Sequence, residues 1–233
     1  MADLHVANVL EESVYGGPHK RVVLAASQLR DHGIKTTIVG PEDADRFMEE
    51  AVAAGVPFSG VGLTALSRSP RLLARFVVRA PKEIRRLSKE LTATGCDIVH
   101  VSGGAWSFKT VLATRMAGLP FVWHMNDAYQ PEPILKLFSL LARAVPPAGV
   151  IYSGVRAREY YSKYFSASAP AGISRPPVSE HLSGLQRQDF ERPAEFGDAE
   201  YVAVLVGNVN TTKATLDAVS AVRSVIDLSL IHI

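Results

Sequence analysis

Six short runs of β-forming residues alternate with six segments of helical length, and this alternation restricts the chain to one kind of architecture. The runs are Leu4–Leu10, Lys35–Val39, Val56–Val61, Asp97–Val101, Leu119–Trp123 and Gly149–Tyr152. The segments between and after them, Pro18–His32, Glu42–Ala54, Pro70–Thr94, Ser107–Ala117, Pro133–Ala144 and Val155–Phe165, carry helical patterning. Pro18 suits the first turn of a helix and Gly33 the position just past its end. Strands alternating with helices build βαβ units, so the expected class is α/β, a Rossmann-like parallel sheet with flanking helices. No fixed-period repeat interrupts the pattern.

The alternation stops after Phe165. Residues 166–200 are rich in Pro, Ser, Gly and charge, with an isolated apolar point at Ile173, and read as a connection between domains. Tyr201–Val206 (YVAVLV) reads as a buried strand, Gly207–Thr211 as a turn and Thr212–Ile226 as a helix. One strand and one helix cannot bury both faces of a parallel sheet, so residues 201–227 are expected to open a second, truncated Rossmann-like domain behind a full first domain at 1–165. The last six residues, 228–233 (LSLIHI), leave the helical pattern of Ala218, Val219, Val222 and Val225. They are also what CTGTCTCTTATACACATC, a transposase sequencing adapter, encodes, which predicts a non-native tail on a reading frame cut short.

With 47% hydrophobic and 21% charged residues, the composition is that of a globular protein and excludes a disordered or collagenous chain. No apolar stretch reaches the roughly 18–20 residues of a membrane span. The opening MADLHVANVLEES lacks the basic and apolar regions of a signal peptide, so a cytoplasmic protein is expected. Cys96, the only cysteine, can close no internal disulfide and supply no zinc cluster. The net charge of +2 predicts no nucleic-acid partner, but its distribution is uneven. Residues 68–90 hold eight cations against Glu83 and Glu90, giving +6, which leaves −4 on the rest of the chain. Such a stretch is either a solvated helix face or a surface for anionic lipid, phosphate or nucleic acid.

Three motifs sit where strands end. Glu12–Lys20 (ESVYGGPHK) follows the first strand, and its Gly16 and Gly17 let backbone N–H groups approach a ligand at a helix start. It is neither GxGxxG nor GxxxxGK[ST], so a dinucleotide or P-loop site is not indicated. Val122–Asp127 (VWHMND) closes the fifth strand, where His124 and Asp127 on a turn can hold a sugar hydroxyl or exchange a proton with it. His100 and Ser102-Gly103-Gly104 end the fourth strand in the same way. Val206–Lys213 (VGNVNTTK) opens the second unit, with Lys213 placed to neutralise a diphosphate.

GGPHKRV, DIVHVSGG, FVWHMND, IYSGVR, Pro176-Pro177-Val178 and VGNVNTTKATLDAV, in this order and spacing over roughly residues 4–226, resemble the series of GT-B retaining glycosyltransferases of family 4. The resemblance implies an N-terminal domain that holds a sugar or lipid-linked acceptor and a C-terminal domain that binds a nucleotide-diphosphate sugar as co-substrate, with no cofactor and no metal. Carried over by position, Gly16 and Gly17 would line the cleft near the transferred sugar. The strand-end polar group falls on His124, Asn126 or Asp127, and both His124 and Asn126 fit the family's histidine. Gly207 and Lys213 match the glycine and lysine of the donor-phosphate motif. Asn208 stands where the family carries arginine and Ala214 where it carries glycine, so one cation of diphosphate binding is missing. The implied activity is sugar transfer with retention, in polysaccharide biosynthesis; a nucleotide-sugar epimerase of the same fold and a catalytically dead binding module are the alternatives. Pro70–Thr94, apolar at Leu72, Leu73, Phe76, Val77, Ile84, Leu87 and Leu91 among cations, reads as one amphipathic helix or two broken near Pro81, with a kink or break expected there, and suits peripheral binding at an anionic membrane face.

Overall fold

The computed structural model describes residues 4–64, 69–127, 129–175, 177, 194, 197 and 215–231. The chain divides into two compact units, Met1–Glu180 and His181–Ile233. The first is built on one sheet of seven strands, β1 (Leu4–Val9), β2 (Ile34–Pro41), β3 (Phe58–Val61), β4 (Ile98–Val101), β5 (Phe121–Met125), β6 (Gly149–Tyr152) and β7 (Ala171–Ile173). All pairings are parallel, and the order is β3-β2-β1-β4-β5-β6-β7. The helices are α1 (Gly17–Arg30), α2 (Asp45–Ala53), α3 (Pro70–Thr94), α4 (Phe108–Ala117), α5 (Glu132–Ala144) and α6 (Val155–Tyr161). In the second unit α7 (Thr215–Ile231) is described. This is the expected Rossmann-like α/β architecture. No described helix is long and apolar enough to cross a membrane.

Side chains alternate across the strands, so each face of the sheet builds its own core. On one face Val22, Val23 and Ala26 of α1 and Phe47 and Ala51 of α2 pack on Leu10 and Ile38. On the other, Ala7, Val9, Val99, Val101, Trp123 and Val150 meet α3 to α6 through Leu87, Leu91, Val111, Phe138 and Tyr161. The β1–β4 boundary is therefore a topological switch point, where successive connections leave in opposite directions and a crevice opens beyond the strand ends.

The differences from the sequence reading have local causes. β5 begins at Phe121 because Pro120 has no N–H to give the ladder, and it runs on through His124 and Met125, leaving Asn126 and Asp127 as the turn. β7 lies inside the stretch assigned to the linker. It pairs with β6, so the sheet passes the expected domain boundary at 165 and the first unit runs to Glu180. Three residues, all exposed, are too few to show a strand period. The last helical segment shortens to α6 and one 3-10 turn at Ser162–Tyr164. α7 runs on through Leu228–Ile231, where a break in pattern was expected. Tyr201–Val206, Gly207, Asn208 and Lys213 lie outside the described residues.

α3 takes the first of the two readings: it continues through Pro81 as one helix, without the break. Phe76 before the proline and Leu87 and Leu91 after it are all buried and tie both halves to one core. Pro81 itself is exposed, so the hydrogen bond it removes is lost on the solvent side. Pro81→Ala is expected to stabilise the protein by about 1 kcal/mol, the restored helical bond outweighing the freer unfolded chain. Urea denaturation checks this; an unchanged or lower midpoint contradicts it.

Candidate functional site

The polar residues at the switch point converge on Arg21. Its guanidinium donates from NH1 to Asn126 Oδ1 at 2.5 Å and from NH2 to the Ser102 carbonyl at 3.3 Å, and NH1 lies 3.4 Å from His124 Nε2. Asn126 Nδ2 donates to the same Ser102 carbonyl. His124 Nδ1 is 3.1 Å from His100 Nε2, and the two rings stack at 5.3 Å. His100 Nδ1 is 3.0 Å from the Asn8 side-chain amide, whose Oδ1 accepts from Ser102 Oγ at 2.5 Å. One network thus links the ends of β1, β4 and β5 to the first turns of α1. Register explains it: Asn8 pairs with His100, and both point to the α1 face together with His124.

Burial sets the charge of the network. Asn8, Arg21, Ser102 and His124 are buried. Arg21 is lowered to about 10 by loss of solvent, so it keeps its charge at neutral pH. Withdrawal from water, and then the Arg21 charge, lower His100 to about 3 and His124 to about 2. Both imidazoles are neutral, which makes them hydrogen-bonding groups rather than acids. A guanidinium only donates, so its contact with His124 Nε2 is a hydrogen bond when that ring carries its proton on Nδ1, facing His100. Asn8, Arg21, His100 and His124 also line a cavity of about 660 Å3 that extends along the sheet over Val6, Ile98, Val122 and Ile151.

Asp127 belongs to a different set of contacts. Although exposed as a residue, it engages both carboxylate oxygens, accepting from Tyr161 Oη at 2.7 Å and Gln130 Nε2 at 2.5 Å. Desolvation outweighs these bonds and raises its carboxyl above the usual range, and burial together with Asp127 raises Tyr161. His124 and Asn126 are therefore brought together through Arg21, while Asp127 faces α6. Gly16 and Gly17 sit at the α1 N-terminus, one turn before Arg21, with ample room where a Cβ would stand. The loop before them is closed by the buried His19, which accepts the Gly16 N–H on Nδ1 (3.2 Å) and donates from Nε2 to the Glu12 carbonyl (2.8 Å). Among the described residues no group of three or more His, Cys, Asp or Glu side chains is placed to hold a metal.

Arg21 and Asn8 were not singled out from the sequence. Arg21 stands in His19-Lys20-Arg21, which looks like a solvated run of cations. Asn8 did leave a signal, as a polar residue inside the apolar run LHVANVL. Arg21→Met is expected to destabilise the protein by about 2–3 kcal/mol, because Asn126 and the Ser102 carbonyl lose a charged donor in a buried place. Arg21→Lys is expected to recover little, since one ammonium cannot reproduce the planar fork. Equal urea midpoints for Arg21→Lys and wild type contradict this.

The family model described as Glycosyltransferase Family 4 matches residues 15–166. No curated protein matches the sequence significantly. Among solved structures the fold is similar to a glycosyltransferase from Rickettsia africae, at 13% identity and a TM-score of 0.58 over 81% of this chain and 48% of that one. It is similar also to HepE of Anabaena in complex with UDP-glucose, at 15% identity and a TM-score of 0.57 over 80% of this chain and 47% of that one. A protein of Listeria monocytogenes named as a UDP-N-acetylglucosamine 2-epimerase shares 17% identity at a TM-score of 0.55, over 85% of this chain and 52% of that one. The chain spans about half the length of these structures. The sheet order and helix placement are those of the GT-B fold, the family match covers more than half of the sequence, and the chain belongs to glycosyltransferase family 4.

Proposed function

We propose that the chain forms the acceptor-side part of an enzyme that moves a sugar from a nucleotide-diphosphate sugar to a sugar or lipid-linked acceptor, with retention at the anomeric carbon. The observation that carries this is the convergence of Ser102, His124 and Asn126 on Arg21 at the sheet's switch point, all within the span matched by the family model, with Asn8 tied in through Ser102 and His100. Gly16 and Gly17 leave space there for the transferred sugar. Neutral His124, with Asn126, holds a sugar hydroxyl, and Asp127 is the candidate proton acceptor. Gly207, Asn208 and Lys213 receive the donor diphosphate, Lys213 and helix dipoles neutralising it as it departs without a metal ion. The complex of HepE with UDP-glucose supports a nucleotide-sugar donor.

Titration of the full-length gene product with UDP- and GDP-sugars, with detection of free nucleoside diphosphate, tests the reading. Release that depends on an acceptor supports it. The likeness to the Listeria protein favours epimerase chemistry as the second reading, which turnover without an acceptor identifies. Binding without turnover identifies a non-catalytic module. Residues 1–233 alone are expected to bind nucleotide-sugars poorly and to release no nucleoside diphosphate, and measurable transfer by this chain overturns that expectation.

Peripheral association with an anionic membrane face is part of the same proposal. Leu73, Val77 and Val78 are exposed on the first half of α3, beside its arginines. Leu73→Glu, Val77→Glu and Val78→Glu together are expected to abolish co-sedimentation with anionic vesicles. Unchanged sedimentation excludes this surface.

A further inference from the structure

A second cavity, of about 510 Å3, opens where β2 and β3 end, and α3 forms one wall of it. Four of its lining residues are cations of that helix, Arg75, Arg79, Lys82 and Arg86. Their spacing of four, three and four residues puts them in a single stripe. The other described cations of α3, Arg71, Arg85 and Lys89, do not line the cavity. The four are gathered around a hollow without an ion pair among the described residues.

The cavity wall is fixed before any ligand arrives. Glu83, in the same stretch of α3, accepts from Thr64 N at 3.1 Å and Thr64 Oγ1 at 2.6 Å, and buried Lys109 donates to Glu83 at 2.7 Å and to the Thr64 carbonyl at 2.6 Å. Glu83 is thereby neutralised, and the loop after β3 is tied to the helix. In that loop Gly62 lets Glu42 and Arg86 approach: a Cβ there would stand 3.1 Å from Glu42 Oε1 and 3.3 Å from Arg86 NH1. Glu42 and Asp43 complete the charged lining. Four cations less these two carboxylates leave two positive charges, which balances a phosphate monoester of about −1.5 to −2 at neutral pH.

We propose that this cavity binds the phosphate of a phosphorylated acceptor. Arg75, Arg79, Lys82 and Arg86 face the phosphate, while Glu42 and Asp43 accept hydrogen bonds from hydroxyl groups of the attached sugar. The naming of the ligand as acceptor rests on the transferase reading; the phosphate site does not. A soluble sugar phosphate and a prenyl-linked phosphate share the recognised group.

Calorimetric titration of the 233-residue chain with glucose 1-phosphate, geranyl phosphate and glucose at low salt tests the site. At least one phosphate is expected to bind about tenfold or more tighter than glucose, and the tighter of the two identifies the source. Arg79→Gln with Lys82→Gln is expected to weaken that binding about tenfold, whereas Arg71→Gln with Lys89→Gln, which removes the same charge outside the cavity, changes it less than about twofold. All these positions are exposed, and melting curves confirm that the variants fold. The proposal is overturned if neither phosphate exceeds glucose, or if the two double variants weaken binding equally. Failure of the transferase reading shows separately, as phosphate binding that persists in a full-length product without acceptor-dependent release of nucleoside diphosphate.

Discussion

Lowering the pH from 7 to 5 is expected to destabilise the protein by about 4 kcal/mol through His100 and His124 alone. Each histidine titrates near 6.5 in the unfolded chain, while burial holds them at about 3 and about 2 in the fold. Below pH 6.5 the unfolded state therefore binds two protons that the native state refuses, and stability falls by up to about 2.7 kcal/mol per pH unit. The loss continues until the folded-state values are reached. Glu11 opposes it in part: desolvation raises its carboxyl, so stability returns as pH falls through that raised value. Urea denaturation at pH 7 and pH 5, with the histidine ring resonances followed by NMR, checks the prediction. Equal midpoints, or rings that titrate near 6.5 in the native protein, contradict it.

Lys109→Met is expected to cost about 3–5 kcal/mol. Lys109 is almost fully buried on α4, 2.7 Å from Glu83 and 3.9 Å from Glu11. Its Nζ also meets the Phe76 ring at 4.4 Å from the centroid. Glu11 is held besides by Thr110 N and Oγ1, both at 2.8 Å. Methionine fills the volume but leaves two buried carboxylates facing each other without a cation. Glu83, which Lys109 and Thr64 lower despite its burial, contributes stability that is present above its unfolded value and lost as pH falls through its folded value. The part of that contribution due to Lys109 disappears in the variant, whose deficit should therefore shrink on acidification. Adding Glu83→Gln and Glu11→Gln to Lys109→Met is expected to recover part of the loss, and a triple variant no more stable than the single one contradicts the mechanism.

The sheet was legible because six of its strands are long enough, and apolar enough, to announce their period. β7 was not, since Ala171, Gly172 and Ile173 gain their place only by pairing with β6. The same limit separates the parts of the candidate site. His124, Asn126, Gly16 and Gly17 could be read from their positions at strand ends and a helix start. Arg21 and Lys109 could not, because each is a cation whose burial depends on partners about a hundred residues away or on another helix. Pro81 left one helix or two open for a related reason: its local preference is real, but the buried side chains on both sides of it outweigh one lost hydrogen bond.

The placement of β1 against β4 also governs when the molecule takes shape. β1 pairs first along the chain with β2, yet its other neighbour arrives only after β3 and the whole of α3 have been laid down. Asn8 and His100 are 92 residues apart, and Arg21 and Asn126 are 105 apart. Such long closures are slow, because their entropy is spent before any contact rewards it. On a ribosome the β1–β3 half can assemble with α1 and α2 while Arg21 still waits, charged and solvated, for a carbonyl and an amide not yet synthesised. The site thus cannot close before β4 and β5 have been made, and its completion reports that both halves of the sheet have met.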